Sequence, residues 1–267
     1  MTVGVGDRLR AALESPRLDG LPQLVPYITA GFPRRDDTVP TLIAAQAAGC
    51  AAAEIGIPFS DPLADGPTIQ ASGKQALGNG ATTDLAIDQA ASARAAGVSM
   101  PLVFMTYINP VLSHGVARFC AEAAEAGVDA LIVPDLPDDE AGDLRAVAAG
   151  RGLALVPLLA PTSTDERIRR ACGRAVGFVY CVGVTGITGA RRTIAAEAFD
   201  LLERVRRVTD LPRAMGFGLS SHDHLVALRG RCEVAVVGSA LIDAMAAEPA
   251  DGAAAAGVFL RGMLTAP

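Results

Sequence analysis

Short apolar runs alternate with amphipathic, helix-period segments along the whole chain, and the alternation predicts strands followed by helices. Residues 6–14 read as a leading helix. The first strand is LVPYITA (24–30), followed by a Pro33 turn and an Ala-rich helix over about 36–48. AAAEIGI closing at Ile57 is the second strand, with helical segments near 68–79 and 83–96. PLVFMTY (101–107) is the third, with one helix from about Pro110 to Ala126. DALIVP (129–134) precedes a helix near 138–150, and LALVPLL (153–159) precedes one near 164–172. AVGFVYC (175–181) is the sixth strand, followed by a loop and a helix near 195–208. PRAMGF (212–217) is the seventh, with a short helix from Ser221. EVAVVG (233–238) is the eighth, and Ser239 begins the last helix.

Strands that alternate with helices pair in parallel through right-handed crossovers. Eight such units without a linker or low-complexity break predict a closed (β/α)8 barrel, the TIM-barrel architecture. It would form a single domain over 1–267 with an extra N-terminal helix. A doubly wound sheet is the fallback, but its glycine-rich turn after the first strand is absent: TAGFPRR stands there. In a barrel, chemistry gathers where strands end and loops begin. Thr29, Glu54, Asp65, Tyr107, Asn109, Asp135, Tyr180, Gly218 and Ser239 all fall at or just past that end.

The 267 residues match the usual size of one such barrel. Net charge is −6 with the charges scattered, which argues against nucleic acid or an anionic membrane as partner. No apolar run reaches membrane-span length. The first residues, MTVGVGDRLR, lack a basic-then-apolar leader, so a cytoplasmic protein is expected. The five cysteines form no CxxC pair and are expected to be reduced thiols. His222 and His224 have no third ligand nearby in sequence, so no metal is expected. Lys74, the only lysine, lies in a polar helical segment. Schiff-base chemistry needs a desolvated lysine, so carbon–carbon cleavage here would run on acids and bases.

The densest chemical signal is AAAEIGIPFSDPLADGPTIQ (51–70). Glu54 sits inside an apolar strand, where desolvation raises a carboxyl's pKa. Asp65 lies in the Pro- and Gly-rich loop that follows, and is expected to be better solvated and more easily ionised. Two carboxyls in unlike environments are the usual material of acid–base catalysis. Spacing alone leaves a plainer alternative open, with Glu54 a satisfied buried acid and Asp61 and Asp65 turn formers. The second signal is GFGLS (216–220) with GSA (238–240) entering a helix. Glycine-lined backbone and a helix N-terminus after the last two strands suit a phosphate. The loop 181–193, with glycines at 183, 186 and 189, suits a lid or a merely flexible connection.

At this point the residues resemble the tryptophan synthase α-subunit family over nearly the whole chain. EIGIPFSDPLADGPTIQ (54–70) looks like that family's hallmark. PYITAGFP (26–33), MTYINP (105–110), VPDLP (133–137), GFVY (177–180), GFGLS and VGSA (237–240) support it. The resemblance implies cleavage of indole-3-glycerol phosphate to indole and glyceraldehyde 3-phosphate. It also implies a β-subunit partner, expected as α2β2, which carries pyridoxal phosphate and receives the indole. No cofactor is implied in this chain.

Carried over by position, Glu54 matches the general acid–base and Asp65 the carboxylate that engages the indole N–H. Tyr27, Met105, Tyr180 and Phe217 match the indole pocket, and Gly189, Gly218, Gly238 and Ser239 the phosphate site. The family lid motif GVTG stands literally at 183–186, but GITG follows at 186–189. The family's spacing from the tyrosine selects Gly186, so Thr188 is the lid threonine and Thr185 a decoy. Asp61, Pro62 and the Asp135–Pro137 loop are candidate partner contacts. Three other readings share this cradle. One is another phosphate-binding barrel, which would want a lysine or a different acid pair at the mouth. Another is a noncatalytic barrel that only supports a partner. The third is a stand-alone lyase that releases free indole.

Overall fold

Nearly every strand residue is buried, because helices cover one face of each strand and the barrel interior the other. The computed structural model describes residues 4–183, 196–216 and 218–265. Its strands are β1 (Gln23–Thr29), β2 (Ala53–Gly56), β3 (Leu102–Met105), β4 (Ala130–Ile132), β5 (Ala154–Leu155), β6 (Leu158–Leu159), β7 (Val179–Val182), β8 (Arg213–Gly216) and β9 (Val234–Val237). All the pairings are parallel, in the order β5-β4-β3-β2-β1-β9-β8-β7-β6.

The two ends of that order are halves of one predicted strand. LALVPLL divides at Val156-Pro157, and Pro157 has no N–H to give to a ladder. The ladder still continues on both sides of the break. Val156 N–H donates to the Leu131 carbonyl at 2.9 Å, and Tyr180 N–H donates to the Pro157 carbonyl at 3.1 Å. The sheet therefore closes through this segment, and the eight predicted units form the barrel.

Side chains alternate across each strand with period two. Val25, Val103, Ala130, Ile132, Ala154, Val156, Ala214, Val234 and Val236 fill the barrel interior. Leu24, Ile28, Ile55, Leu102, Phe104 and Leu131 meet the helices outside. The predicted leading helix is α1 (Asp7–Glu14), whose Leu9 and Leu13 plug the interior cluster. Burying two leucines supplies about 3–6 kcal/mol in area terms, which holds α1 across the strand N-terminal ends. Arg8 adds a tie there, its Nη1 lying 3.0 Å from Asp129 Oδ1 just ahead of β4.

The outer helices are α2 (Thr38–Ala48), α3 (Pro67–Gly78), α4 (Thr83–Ala95), α5 (Ile108–His114), α6 (Val116–Glu125), α7 (Gly142–Ala149), α8 (Asp165–Arg174), α9 (Ala196–Arg206), α10 (His222–Ala227), α11 (Ser239–Ala247) and α12 (Gly252–Leu264). Two of these differ from the sequence pattern. The helix expected from Pro110 to Ala126 is two, broken at Gly115, whose φ of 90° leaves the helical region. The helix opened by Ser239 is not the last, because the chain turns at Glu248–Asp251 and Asp251 caps α12 through Ala254 N–H. Among the described residues no helix is long and apolar enough to cross a membrane.

Candidate active site

Glu54 projects inward from β2, with Tyr27 of β1 and Val103 of β3 as its register partners. It is fully buried, and neither carboxyl oxygen has a hydrogen-bond partner. Burial among apolar neighbours therefore pushes the carboxyl up to about 8. A group so placed is a neutral acid at pH 7, able to give a proton to whatever enters beside it.

Asp65 comes from the loop between β2 and α3. Pro67 in the first turn of α3 sets where that loop ends. Ala64 N–H donates to the Tyr107 hydroxyl at 2.9 Å, Asp65 N–H to the Pro62 carbonyl at 3.1 Å, and Gln70 Nε2 to the Asp65 carbonyl at 2.9 Å. These bonds fix the loop, so the acid is held rather than free. Asp65 is half-buried, and desolvation raises it to about 6 against the opposing pull of the Tyr107 hydroxyl. Asp65 is thus the better solvated and more easily ionised of the two acids, as its loop position predicts; both carboxyls are raised and Glu54 is raised further.

Two tyrosines complete the wall. A Cβ at Gly56 would lie 2.0 Å from the Tyr27 hydroxyl, and one at Gly216 would lie 2.1 Å from that of Tyr180. The strand-end glycines thus make room for phenols that share the interior with Glu54. Desolvation first, and then the nearby acids, hold both phenols well above the usual tyrosine range, so each stays a hydrogen-bond donor. Gly56→Ala is expected to displace Tyr27 and cost about 1–3 kcal/mol of stability, as overpacking does. Chemical denaturation checks this, and an unchanged midpoint would show that Tyr27 moves aside freely.

Glu54, Asp65, Tyr27, Met105, Tyr180, Gly218, Gly238 and Ser239 all line one cavity of about 210 Å³. At its far end Gly218 adopts φ +79°, with open space where a Cβ would stand. Ser239 is the first residue of α11, so its N–H and that of Ala240 lack intrahelical acceptors. Together they offer an anion backbone donors and the positive end of a nine-residue helix. Phe217, Thr188, Thr185 and Gly189 lie outside the described residues.

Sequence reasoning passed over Ile69 and Asp243, which also line the cavity. Helical period offered a signal for both: Ile69 lies in the first turn of α3, and Asp243 one turn beyond Ser239. The role of Gly56 was legible only as a glycine inside a strand, which marks a close approach without naming what approaches.

The remaining titratable clusters are structural. Lys74 is exposed and the five cysteines are free and buried. Asp84, His114 and Glu122 come together, but the two ring nitrogens of His114 face different acids, at 3.6 Å and 2.6 Å. The imidazole bridges two carboxylates there, and Arg118 Nε completes the group 2.7 Å from Glu122. His222 Nδ1 donates to the Met263 carbonyl at 2.9 Å, and His224 accepts from Ser220 N–H, so the two serve different partners.

Residues 16–260 match the family model described as tryptophan synthase alpha chain. The chain is 44% identical to the tryptophan synthase alpha chain of Chloroflexus aggregans, over 97% of this chain and 98% of that one. Its fold superposes on a structure of Mycobacterium tuberculosis tryptophan synthase with a TM-score of 0.87, at 34% identity, covering 97% of this chain and 99% of the other. A chain of the tryptophan synthase a2b2 complex from Pyrococcus furiosus gives 0.86 at 39% identity, covering 92% and 98%.

Proposed function

Since the chain belongs to the tryptophan synthase alpha chain family, we propose that it cleaves indole-3-glycerol phosphate to indole and glyceraldehyde 3-phosphate and passes the indole to a β subunit. The observation that carries this reading is an unpartnered, buried Glu54 sharing one cavity with Asp65 and with an anion cradle of backbone donors.

The steps follow from the two acids. Protonated Glu54 gives its proton to indole C3, and the resulting indolenine carries positive charge on its ring nitrogen. Ionised Asp65 accepts the ring N–H and stabilises that charge as it develops. The bond from C3 to the glycerol chain then breaks, and its electrons neutralise the ring to indole. Glu54, now a carboxylate, takes the proton of the adjacent hydroxyl as the aldehyde forms, which restores the acid. The ring is its own electron sink, so these steps route no electrons through a cofactor in this chain; pyridoxal phosphate belongs to the partner. Held at Gly218, Gly238 and Ser239, the phosphate fixes the distance from the tail to the bond that breaks. The exposed Asp61 and Leu63, on the loop that carries Asp65, offer the partner a contact that can act on the acid. The a2b2 relative favours this reading over a lyase that works alone.

The sign of the pH dependence follows from the two carboxyls. Asp65 must be ionised, so kcat/KM falls below about 6, and Glu54 must be protonated, so it falls above about 8. Indole release measured from pH 5 to 9, with and without a β subunit, is expected to give a bell between those limits and strong stimulation by the partner. No indole under either condition overturns the activity. A flat profile overturns the acid–base pair, and fast turnover unaffected by the partner overturns the subunit role.

A further inference from the structure

The catalytic reading leaves both His222 and His224 unused, and of the two His224 is bonded to the loop that carries Gly218. Its side chain is buried at 7% exposure. Its Nδ1 accepts the backbone N–H of Ser220 at 3.1 Å. The ring is carried by α10, whose Leu225 and Leu228 end are fully buried against the core, so the acceptor is held in place. The loop it grips carries Gly218, which has φ +79° and open space where a Cβ would stand. Leu219, 3% exposed, pins the loop from the core side.

We propose that His224 is a positioning residue for the phosphate cradle, fixing the loop after β8 by accepting the Ser220 N–H. The inference rests on the phosphate assignment made above. Its geometry has a definite consequence. A donor spent on His224 is withdrawn from the anion, so among the described residues of this loop that line the cavity the N–H groups of Gly218 and Leu219 are left. The first-turn donors of α11 supply the rest. The imidazole must also be the tautomer with its proton on Nε2, because a protonated Nδ1 has no lone pair to offer.

Replacing the ring by an apolar side chain leaves the Ser220 N–H without its acceptor and frees the loop. His224→Leu is expected to raise both KM for indole-3-glycerol phosphate and the inhibition constant of glycerol 3-phosphate by about tenfold, with kcat at saturation changed by less than about twofold. His224→Gln, whose amide oxygen can reach the same N–H, should restore both constants. Parallel rises in KM and inhibition constant that Gln does not rescue would overturn the hydrogen-bond role, and so would a folded Leu variant with parental constants. The unmutated protein gives an independent reading by amide NMR. On titration with glycerol 3-phosphate, the Gly218 and Leu219 amides should shift most and Ser220 little, and the reverse order overturns the proposal. A parent protein that neither releases indole nor binds glycerol 3-phosphate would defeat the functional reading itself. A competent parent with an indifferent His224→Leu variant defeats only this inference.

Discussion

Asp65→Asn is expected to lower kcat by roughly 10²–10³-fold while glycerol 3-phosphate binds within about twofold of the parent. Asparagine keeps the shape and one acceptor oxygen, so the ring N–H still has a hydrogen-bond partner. What it lacks is the charge that opposes the positive nitrogen formed when C3 is protonated. In a pocket that desolvates both acids, that difference is worth several kcal/mol in the transition state and little in the ground state. The anion cradle at Gly218 and Ser239 is built from other loops and should be indifferent to the change. The acid limb of the pH profile should also vanish, because the group raised to about 6 is gone. Steady-state kinetics and calorimetric titration test this together, and a variant retaining turnover within tenfold of the parent defeats the role given to Asp65.

The barrel was legible because its periodicities are local. Strand after strand is a short apolar run followed by a helix-period segment, so eight units could be counted. What stayed hidden depended on single residues acting against their surroundings. Gly115 breaks a stretch whose side chains read as one continuous helix. Pro157 divides a strand whose hydrophobic pattern is unbroken, although the ladder continues on either side.

The site shows the same division. The pairing of Glu54 with Asp65 was readable from chain position, since Asp65 lies in the loop that leaves the strand carrying Glu54. How far Asp65 is buried was not, because it depends on Tyr107, just past β3, whose hydroxyl accepts the Ala64 N–H and fixes the loop. Likewise, Gly216 reads as part of a phosphate turn, whereas its missing Cβ makes room for Tyr180. His224 reads as a stray ligand and proves to be a backbone acceptor. In each case a contact between distant segments decides the role, and no window of sequence contains it.

Glu54→Gln is expected to abolish turnover and stabilise the fold at once, and the two effects share one cause. The residue has to be buried to hold a proton at neutral pH, and burial without a partner is unfavourable for the ionised form. Folded Glu54 keeps its proton up to about 8, whereas an unfolded glutamate loses it near 4.5. Between those values the folded state binds the extra proton, so stability falls as pH rises through the window. The full effect is about 5 kcal/mol above pH 8, and Gln, which has no proton to lose, escapes it. The stability gap between variant and parent should therefore be below about 1 kcal/mol at pH 5 and open to several kcal/mol by pH 8.5. Over the same range kcat should be lower by roughly 10³-fold or more, since one group both delivers the C3 proton and removes the hydroxyl proton. Urea titrations at the two pH values decide the matter. A gap that does not change with pH would mean that Glu54 finds a partner or water in the folded protein, and would remove the reason for assigning it as the acid.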